Sequence, residues 1–301
     1  MSNELPEIAS KARTRAIMET YGLTFKKSLG QNFLTDLNIL KKIVAAAEVG
    51  EEDDVIEIGP GIGALTEQLA KSAHQVMALE IDSRLIPVLS ETLSPYDNVK
   101  IVEQDVLKAD LKELIAQNFD GRHKIKLVAN LPYYITTPIV MHLLEVDVDF
   151  ETIVVMMQKE VADRLAAQPG TKDYGSLSVA VQYEMDAKIA FIVPKTVFMP
   201  QPKVDSAIIA LNRKDEKPDV PVDEPFFKKM VKGIFLHRRK SLWNNLQGLY
   251  GKDPSTKEKL EHALKNAEIE KSVRAERLSI SQMVRLASSC PSRATFRWPI
   301  A

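Results

Sequence analysis

The sequence predicts an α/β protein: a mostly parallel sheet with helices on both faces, followed by a small all-helical domain. Three observations support this. Between about Asp54 and Asn212, short β-rich apolar runs alternate with longer amphipathic stretches. A glycine-rich turn, Gly59 to Gly63, directly follows the first of those runs. Residues 213–225 hold three prolines and many charges and read as a linker, beyond which no strong strand pattern is present.

In chain order, strands are expected over Asp54–Ile58, Gln75–Glu80, Val99–Gln104, Lys124–Ala129, Thr152–Gln158, Lys188–Val193 and Ser206–Asn212. Their near-continuous apolar character suits strands covered on both faces. The stretches Ala64–Lys71, Arg84–Leu93, Leu111–Asn118, Pro138–Glu145 and Lys159–Ala167 read as the helices between them. Phe226–Tyr250 and Thr256–Ala267 carry helical periodicity beyond the linker. The expected domains are therefore 1–212, with the sheet, and 213–301, with helices only. In such sheets ligands bind at the carboxyl ends of the strands, and every chemically suggestive motif of this chain lies there.

Composition narrows the function classes. The 301 residues are 45% hydrophobic and 27% charged, as in an ordinary folded protein with one large and one smaller domain. Cys290 is the only cysteine, which excludes an intramolecular disulfide framework and a cysteine-based zinc site. The five histidines are dispersed, so no metal is expected. No apolar run approaches membrane-spanning length and the N-terminus is polar and acidic, so a cytoplasmic protein is expected. The net charge of -1 hides a division. Residues 211–301 hold 19 Lys+Arg against 11 Asp+Glu, whereas residues 1–210 hold 21 against 30. The basic excess in the C-terminal third is a candidate polyanion surface, although solvated helical faces carry such an excess as often.

The glycine turn Gly59-Pro60-Gly61-Ile62-Gly63 lets the backbone bend sharply and approach a ligand. Gly59 and Gly61 suit a nucleotide cofactor, but the loop alone does not separate NAD from S-adenosylmethionine. Glu80 ends the second strand, 21 residues after Gly59, where a carboxylate can accept both ribose hydroxyl protons. Asp105, after the third strand, can accept from the exocyclic amine of a cofactor adenine, an arrangement common in class I methyltransferases. Either acid could instead cap a helix.

The fourth strand ends in Asn130-Leu131-Pro132-Tyr133. An adenine N6 amine is a poor nucleophile because its lone pair is delocalised into the ring. Two acceptors on its N–H groups favour a more tetrahedral nitrogen and aim that lone pair. The Asn130 side-chain oxygen and the Leu131 or Pro132 carbonyl are suited to this, with Pro132 stiffening the turn and Tyr133 stacking on the base. The alternative is a plain strand-to-turn transition. The pattern points to methyl transfer onto a nucleobase amine, driven by alignment and desolvation rather than by a metal or a covalent intermediate.

The residues match a known family along nearly the whole chain. The matching segments begin with Lys26-Lys27-Ser28-Leu29-Gly30-Gln31-Asn32-Phe33-Leu34, Glu57 to Thr66, Asn130 to Tyr133 and Gln158-Lys159-Glu160-Val161. They continue with Tyr174 to Val179, Phe198 to Ser206, His237 to Leu246 and Arg274 to Ser279. On these the chain resembles the small-subunit (16S) ribosomal RNA adenine N6,N6-dimethyltransferases. The resemblance implies a class I S-adenosylmethionine-dependent, Rossmann-like fold with a seven-stranded, mostly parallel sheet and a helical C-terminal domain. It implies two methyl transfers from S-adenosyl-L-methionine to each of two adjacent adenosines near the 3′ end of 16S rRNA, leaving S-adenosylhomocysteine. It implies as substrate the small (30S) ribosomal subunit or its precursor and a role in small-subunit biogenesis; separately from the resemblance, a monomer is expected.

Carried onto this chain, the resemblance places cofactor contacts on Asn32, Leu34, Gly59, Glu80, Asp105 and Asn130. It has Asn130 and Tyr133 also hold the target base, with Phe198 on its other face. Asn32 and Leu34 then belong to a segment folded over the cofactor; from pattern alone they could equally start a helix. RNA contacts are expected from Lys26 and Lys27, and from Arg238, Arg239 and Lys240 on a helix whose apolar stripe includes Met230, Ile234, Phe235, Leu242 and Leu246. Three features depart from the pattern: Tyr134 where many relatives have Asn, the bulky Trp243, and the unmatched tail after about Ala287. Rival readings are a 23S rRNA adenine methyltransferase, a non-catalytic RNA-binding assembly factor, and a nicotinamide-dependent dehydrogenase. The last leaves Asp105 and the tetrapeptide unexplained.

Overall fold

The computed structural model describes residues 6–23, 32–215 and 219–290, which form two compact units. The first holds the described residues up to Ala162 together with Ala187–Arg213, and the second holds Asp163–Asp186 together with those from Lys214 onward.

The first unit begins with α1 (Lys11–Thr20), the two-residue strand β1 (Phe33–Leu34) and α2 (Leu37–Ala46). An alternation follows: β2 (Asp53–Ile58), α3 (Ala64–Ala70), β3 (Gln75–Glu80), α4 (Ile86–Thr92), β4 (Val99–Glu103), α5 (Leu111–Asn118), β5 (Lys124–Asn130), α6 (Thr136–Glu145) and β6 (Phe150–Gln158). Then come α7 (Lys159–Leu165), which runs into the second unit, β7 (Met185–Val193), the short β8 (Phe198–Met199) and β9 (Ser206–Arg213). The main sheet has seven strands in the order β4-β3-β2-β5-β6-β9-β7. Strands β2 to β6 pair in parallel, while β9 runs antiparallel to β6.

All seven strands read from the sequence are present, and their burial explains why they were legible. Every residue of β2 is buried, as are Leu127–Ala129 of β5 and Ile153–Met157 of β6, because helices cover both faces. The edge strand β7 alternates instead, and no residue of the other edge strand, β4, is fully buried. Asp36 caps α2, accepting from Asn38 N at 2.9 Å and Ile39 N at 3.1 Å, and Asp110 caps α5, accepting from Glu113 N at 3.0 Å. The residues before α1 are fastened to α3: Ile8 N donates to Glu67 at 2.9 Å, and Glu7 takes Gln68 and Lys71.

The second unit contains α8 (Ser176–Glu184), α9 (Glu224–Ile234), α10 (Leu242–Tyr250), α11 (Pro254–Asn266) and α12 (Ile280–Ser289). Two expectations are corrected here. Residues 163–186 belong with the C-terminal helices rather than with the sheet, because Tyr174, Val179 and Tyr183 are buried among Phe227, Met230, Leu246 and Met283. Tyr174 also donates to Leu278 O at 3.1 Å, and burial pushes its phenol up to about 12.

The stretch Phe226–Tyr250 is two helices, not one. Ser241 caps α10 by accepting from Asn244 N at 3.3 Å, and Leu242 N turns away to Val273 O at 2.7 Å. Arg238, Arg239 and Lys240 therefore lie in the turn between α9 and α10, not on a helix. The apolar stripe holds on both sides of the break, with Met230, Ile234, Leu242 and Leu246 all buried.

Candidate active site

A cleft opens at the carboxyl ends of β2, β3 and β5, with about 1230 Å³ of empty space including its mouth. Its floor begins at the turn after β2. Gly59, Gly61 and Gly63 adopt φ of +71°, +61° and +92°, the left-handed region that side chains disfavour. A Cβ on Gly61 would lie 2.9 Å from Phe33 Cε1, so β1 can cross the turn closely only because glycine stands there. At Gly59 the added atom would meet nothing within 4 Å.

Glu80 is 5% exposed at the end of β3. Its Oε2 accepts from Gly61 N at 3.3 Å and its Oε1 from Asp82 N at 2.8 Å. Burial raises its carboxyl above the ordinary range, and these backbone bonds pull it back. Each oxygen retains a lone pair for a ligand hydroxyl. Asp105 accepts from Leu107 N at 3.1 Å through Oδ1, which leaves Oδ2 beside the Lys108 ammonium at 3.8 Å.

Parallel register places Asn130 at the tip of β5, next to the strand that carries the glycine turn. Its Nδ2 donates to Asn32 O at 3.4 Å, so Oδ1 is the free acceptor. Leu131 N donates to Met156 O at 3.3 Å. Pro132 O is occupied twice, by Ile135 N at 3.2 Å and by Thr136 Oγ1 at 2.9 Å. The Leu131 carbonyl has no such partner among the described residues. Of the two carbonyls open on sequence grounds, it is thus the one free for a substrate amine.

Tyr133 shares a 2.7 Å hydrogen bond with Ser206 Oγ at the start of β9, and burial raises its phenol. Across the cleft, β1 pairs antiparallel with β8, with Leu34 opposite Phe198. Thr35 N extends the pairing to Val197 O at 2.9 Å.

The cleft thus gathers Asn32, Leu34, Gly59, Gly61, Glu80 and Asp105 with Asn130, Leu131, Pro132, Tyr133 and Phe198. Residues 32–34, expected to fold over a cofactor, line it as β1 rather than as the start of a helix.

The basic candidates are placed differently. Lys26 and Lys27 lie outside the described residues. Arg238 Nη2 donates within its own unit, to Tyr174 O at 3.0 Å and to Glu276 Oε2 at 3.1 Å. Arg239 and Lys240 are exposed. Trp243 lies 4.7 Å from the Lys271 ammonium, in a cation–π contact.

Two residues, Glu57 in the cleft lining and Ser206 behind Tyr133, stand in the matching segments of the sequence but had no role assigned there. Glu57 is 1% exposed, and its Oε2 has no hydrogen-bond partner among the described residues. Burial drives its carboxyl up to about 8, reinforced by the Glu80 carboxylate. An acid inside an otherwise apolar strand was the available signal. Ser206 carried none, because its role depends on the long-range pairing of β9 with β6.

Comparison with known proteins identifies similar chains and folds. The family model described as ribosomal RNA adenine dimethylase matches residues 22–289. The ribosomal RNA small subunit methyltransferase A of Ligilactobacillus salivarius is 74% identical over 96% of this chain and 98% of its own. Its namesake from Lactiplantibacillus plantarum is 61% identical over 96% and 97%. Among solved structures, a dimethyladenosine transferase from Plasmodium falciparum superposes with a TM-score of 0.70 at 26% identity, covering 84% of this chain and 95% of that one. The 23S rRNA methyltransferase ErmE gives 0.65 at 30% identity, covering 85% and 98%.

Proposed function

Because the chain belongs to the ribosomal RNA adenine dimethylase family, we propose that its cleft dimethylates adenosine N6 in small-subunit ribosomal RNA with S-adenosylmethionine as donor. The observation that carries this reading is the pair of bare acceptors, Asn130 Oδ1 and the Leu131 carbonyl, in one cleft with Glu80 and Asp105.

The residues suit that donor. The positive-φ glycines admit close backbone approach, the spare lone pairs of Glu80 suit ribose hydroxyls, and Asp105 Oδ2 suits an adenine amine. When bound, S-adenosylmethionine supplies an electrophilic methyl carbon on a cationic sulfonium. Asn130 Oδ1 and Leu131 O would accept the two N–H groups of the target amine before the first transfer, and one of them the remaining N–H before the second, holding its lone pair out of conjugation with the ring. Tyr133, steadied by Ser206, and Phe198 hold the base between them. The apolar walls around Leu34, Ile58 and Leu131 exclude water, so alignment supplies most of the acceleration. A strong base is unnecessary, because the nitrogen becomes acidic only as it gains its methyl group.

The reading extends to two adjacent adenosines near the 3′ end of 16S rRNA within the small subunit or its precursor. It also includes a cytoplasmic, monomeric, metal-free enzyme active in subunit biogenesis. Among the described residues no group of three His, Cys, Asp or Glu is placed to hold a metal, and no helix is long and apolar enough to cross a membrane. The helical unit is assigned to RNA phosphates through Arg239 and Lys240, with Arg238 fixing the turn that presents them. Lys26 and Lys27 keep the same assignment on sequence grounds.

The test incubates the purified protein with radiolabelled donor and unmethylated small or large subunits, then maps the modified nucleotides. Dimethyladenosine at two neighbouring small-subunit positions is expected. Label confined to the large subunit would favour the chemistry named for ErmE and overturn the assignment.

A further inference from the structure

The turn bearing the tetrapeptide places two aromatic rings in contrasting surroundings. The bond from Ile135 N to Pro132 O closes it, with Tyr133 and Tyr134 at its two corners. Tyr133 is half-buried and tied to Ser206. Tyr134 is 57% exposed at the edge of the same cleft. It has no hydrogen bond, ion pair or ring contact among the described residues. Packing does not explain its size, and its bare π-face lies at the mouth of a base pocket.

A nucleobase that enters such a pocket must leave its stack, and the neighbour it deserts loses a stacking partner. An aromatic side chain at the entrance can replace that partner whatever the identity of the base. We propose that Tyr134 forms a second RNA subsite, a stacking platform for the nucleobase adjoining the target adenosine. This rests on the reading that the cleft takes an rRNA adenosine. The subsite lies outside the pocket proper, so it governs substrate capture and register rather than methyl transfer.

The test uses the full chain, S-adenosylhomocysteine and unmethylated small subunits whose RNA carries 2-aminopurine, a base whose emission falls when it is stacked. One preparation has the probe at one of the two target adenosines, and another has it at the base that borders the pair on the outside and is not itself a target. The target probe is expected to change its emission on binding wild type and Tyr134→Ala alike. The flanking probe should be quenched by wild type, Tyr134→Phe and Tyr134→Trp, and should stay bright with Tyr134→Ala. In steady state, Tyr134→Ala should raise KM for small subunits on the order of tenfold, with kcat within about twofold, and Tyr134→Phe should restore it. Equal quenching of the flanking probe by Tyr134→Ala, or an unchanged KM, overturns the proposal while leaving the pocket reading intact. A target probe silent with every variant overturns the pocket reading and this inference with it.

Discussion

Asn130 uses the two ends of its amide for different tasks. The nitrogen anchors to Asn32 O and thereby fixes the oxygen as an acceptor facing the cleft. Replacing it with alanine removes the acceptor proposed to hold the reacting amine. At saturating donor, Asn130→Ala should therefore lower kcat by about 10²- to 10³-fold with the fold intact. Single-turnover methylation of small subunits measures this, and near-normal turnover by a folded variant would remove Asn130 from the mechanism. Glu57 makes a different prediction. Its carboxyl titrates near 8 in the folded chain, against 4.5 for an ordinary glutamate. Between those values the native state keeps a proton that the unfolded state has released, so stability falls as pH rises and levels off above about 8. Glu57→Gln removes that titration. Its melting temperature should gain on wild type from pH 5 to pH 9, and a gap that does not widen would show that Glu57 is ionised in the native state.

At the scale of elements, the turn after β2 and the strand that crosses it depend on one glycine. Gly61→Ala places a Cβ against Phe33 and forces a left-handed backbone that costs roughly 1–2 kcal/mol. Melting should drop, and S-adenosylhomocysteine affinity should fall roughly tenfold as β1 is displaced. Gly121→Ala is the control: φ there is +74°, with nothing within 4 Å, so it strains the backbone without touching the cleft. Calorimetric titration that shows equal loss in both variants would rule out the Phe33 contact as the cause. The inner strands were legible because burial on both faces writes a near-continuous apolar run into each, and the edge strand β7 because it alternates. Strands β1 and β8 were not, since two residues hold no period and pair only through a partner far along the chain. The break between α9 and α10 was hidden for the opposite reason. Both helices keep the same apolar spacing, and only the Ser241 cap marks the interruption.

At the scale of the whole molecule, the motif residues of the cleft could be named from the sequence because glycine, acid and amide each followed a strand. The affiliation of residues 163–186 could not, because it depends on which core receives Tyr174 and Tyr183. The same limit bears on RNA binding. Adjacent cations looked equivalent in the sequence, and all three are exposed, yet Arg238 is tied to Tyr174 O and Glu276. The double variant Arg239→Ala with Lys240→Ala should therefore weaken particle binding and reduce the slope of log affinity against log salt by roughly 1.5, while sparing donor affinity. An unchanged slope would place the phosphate contacts elsewhere.

The pairing of Leu34 with Phe198 joins the proposed donor cover to the proposed wall behind the acceptor base in one two-rung ladder. Anything that unfastens it to let a spent donor escape also slackens the grip on the half-finished nucleoside. On the proposed roles of Leu34 and Phe198, an opening of this ladder at donor release would offer each adenosine an exit between its first and second methylation. Time courses should therefore show singly methylated adenosine as a free, transient species rather than a direct passage to the doubly methylated form.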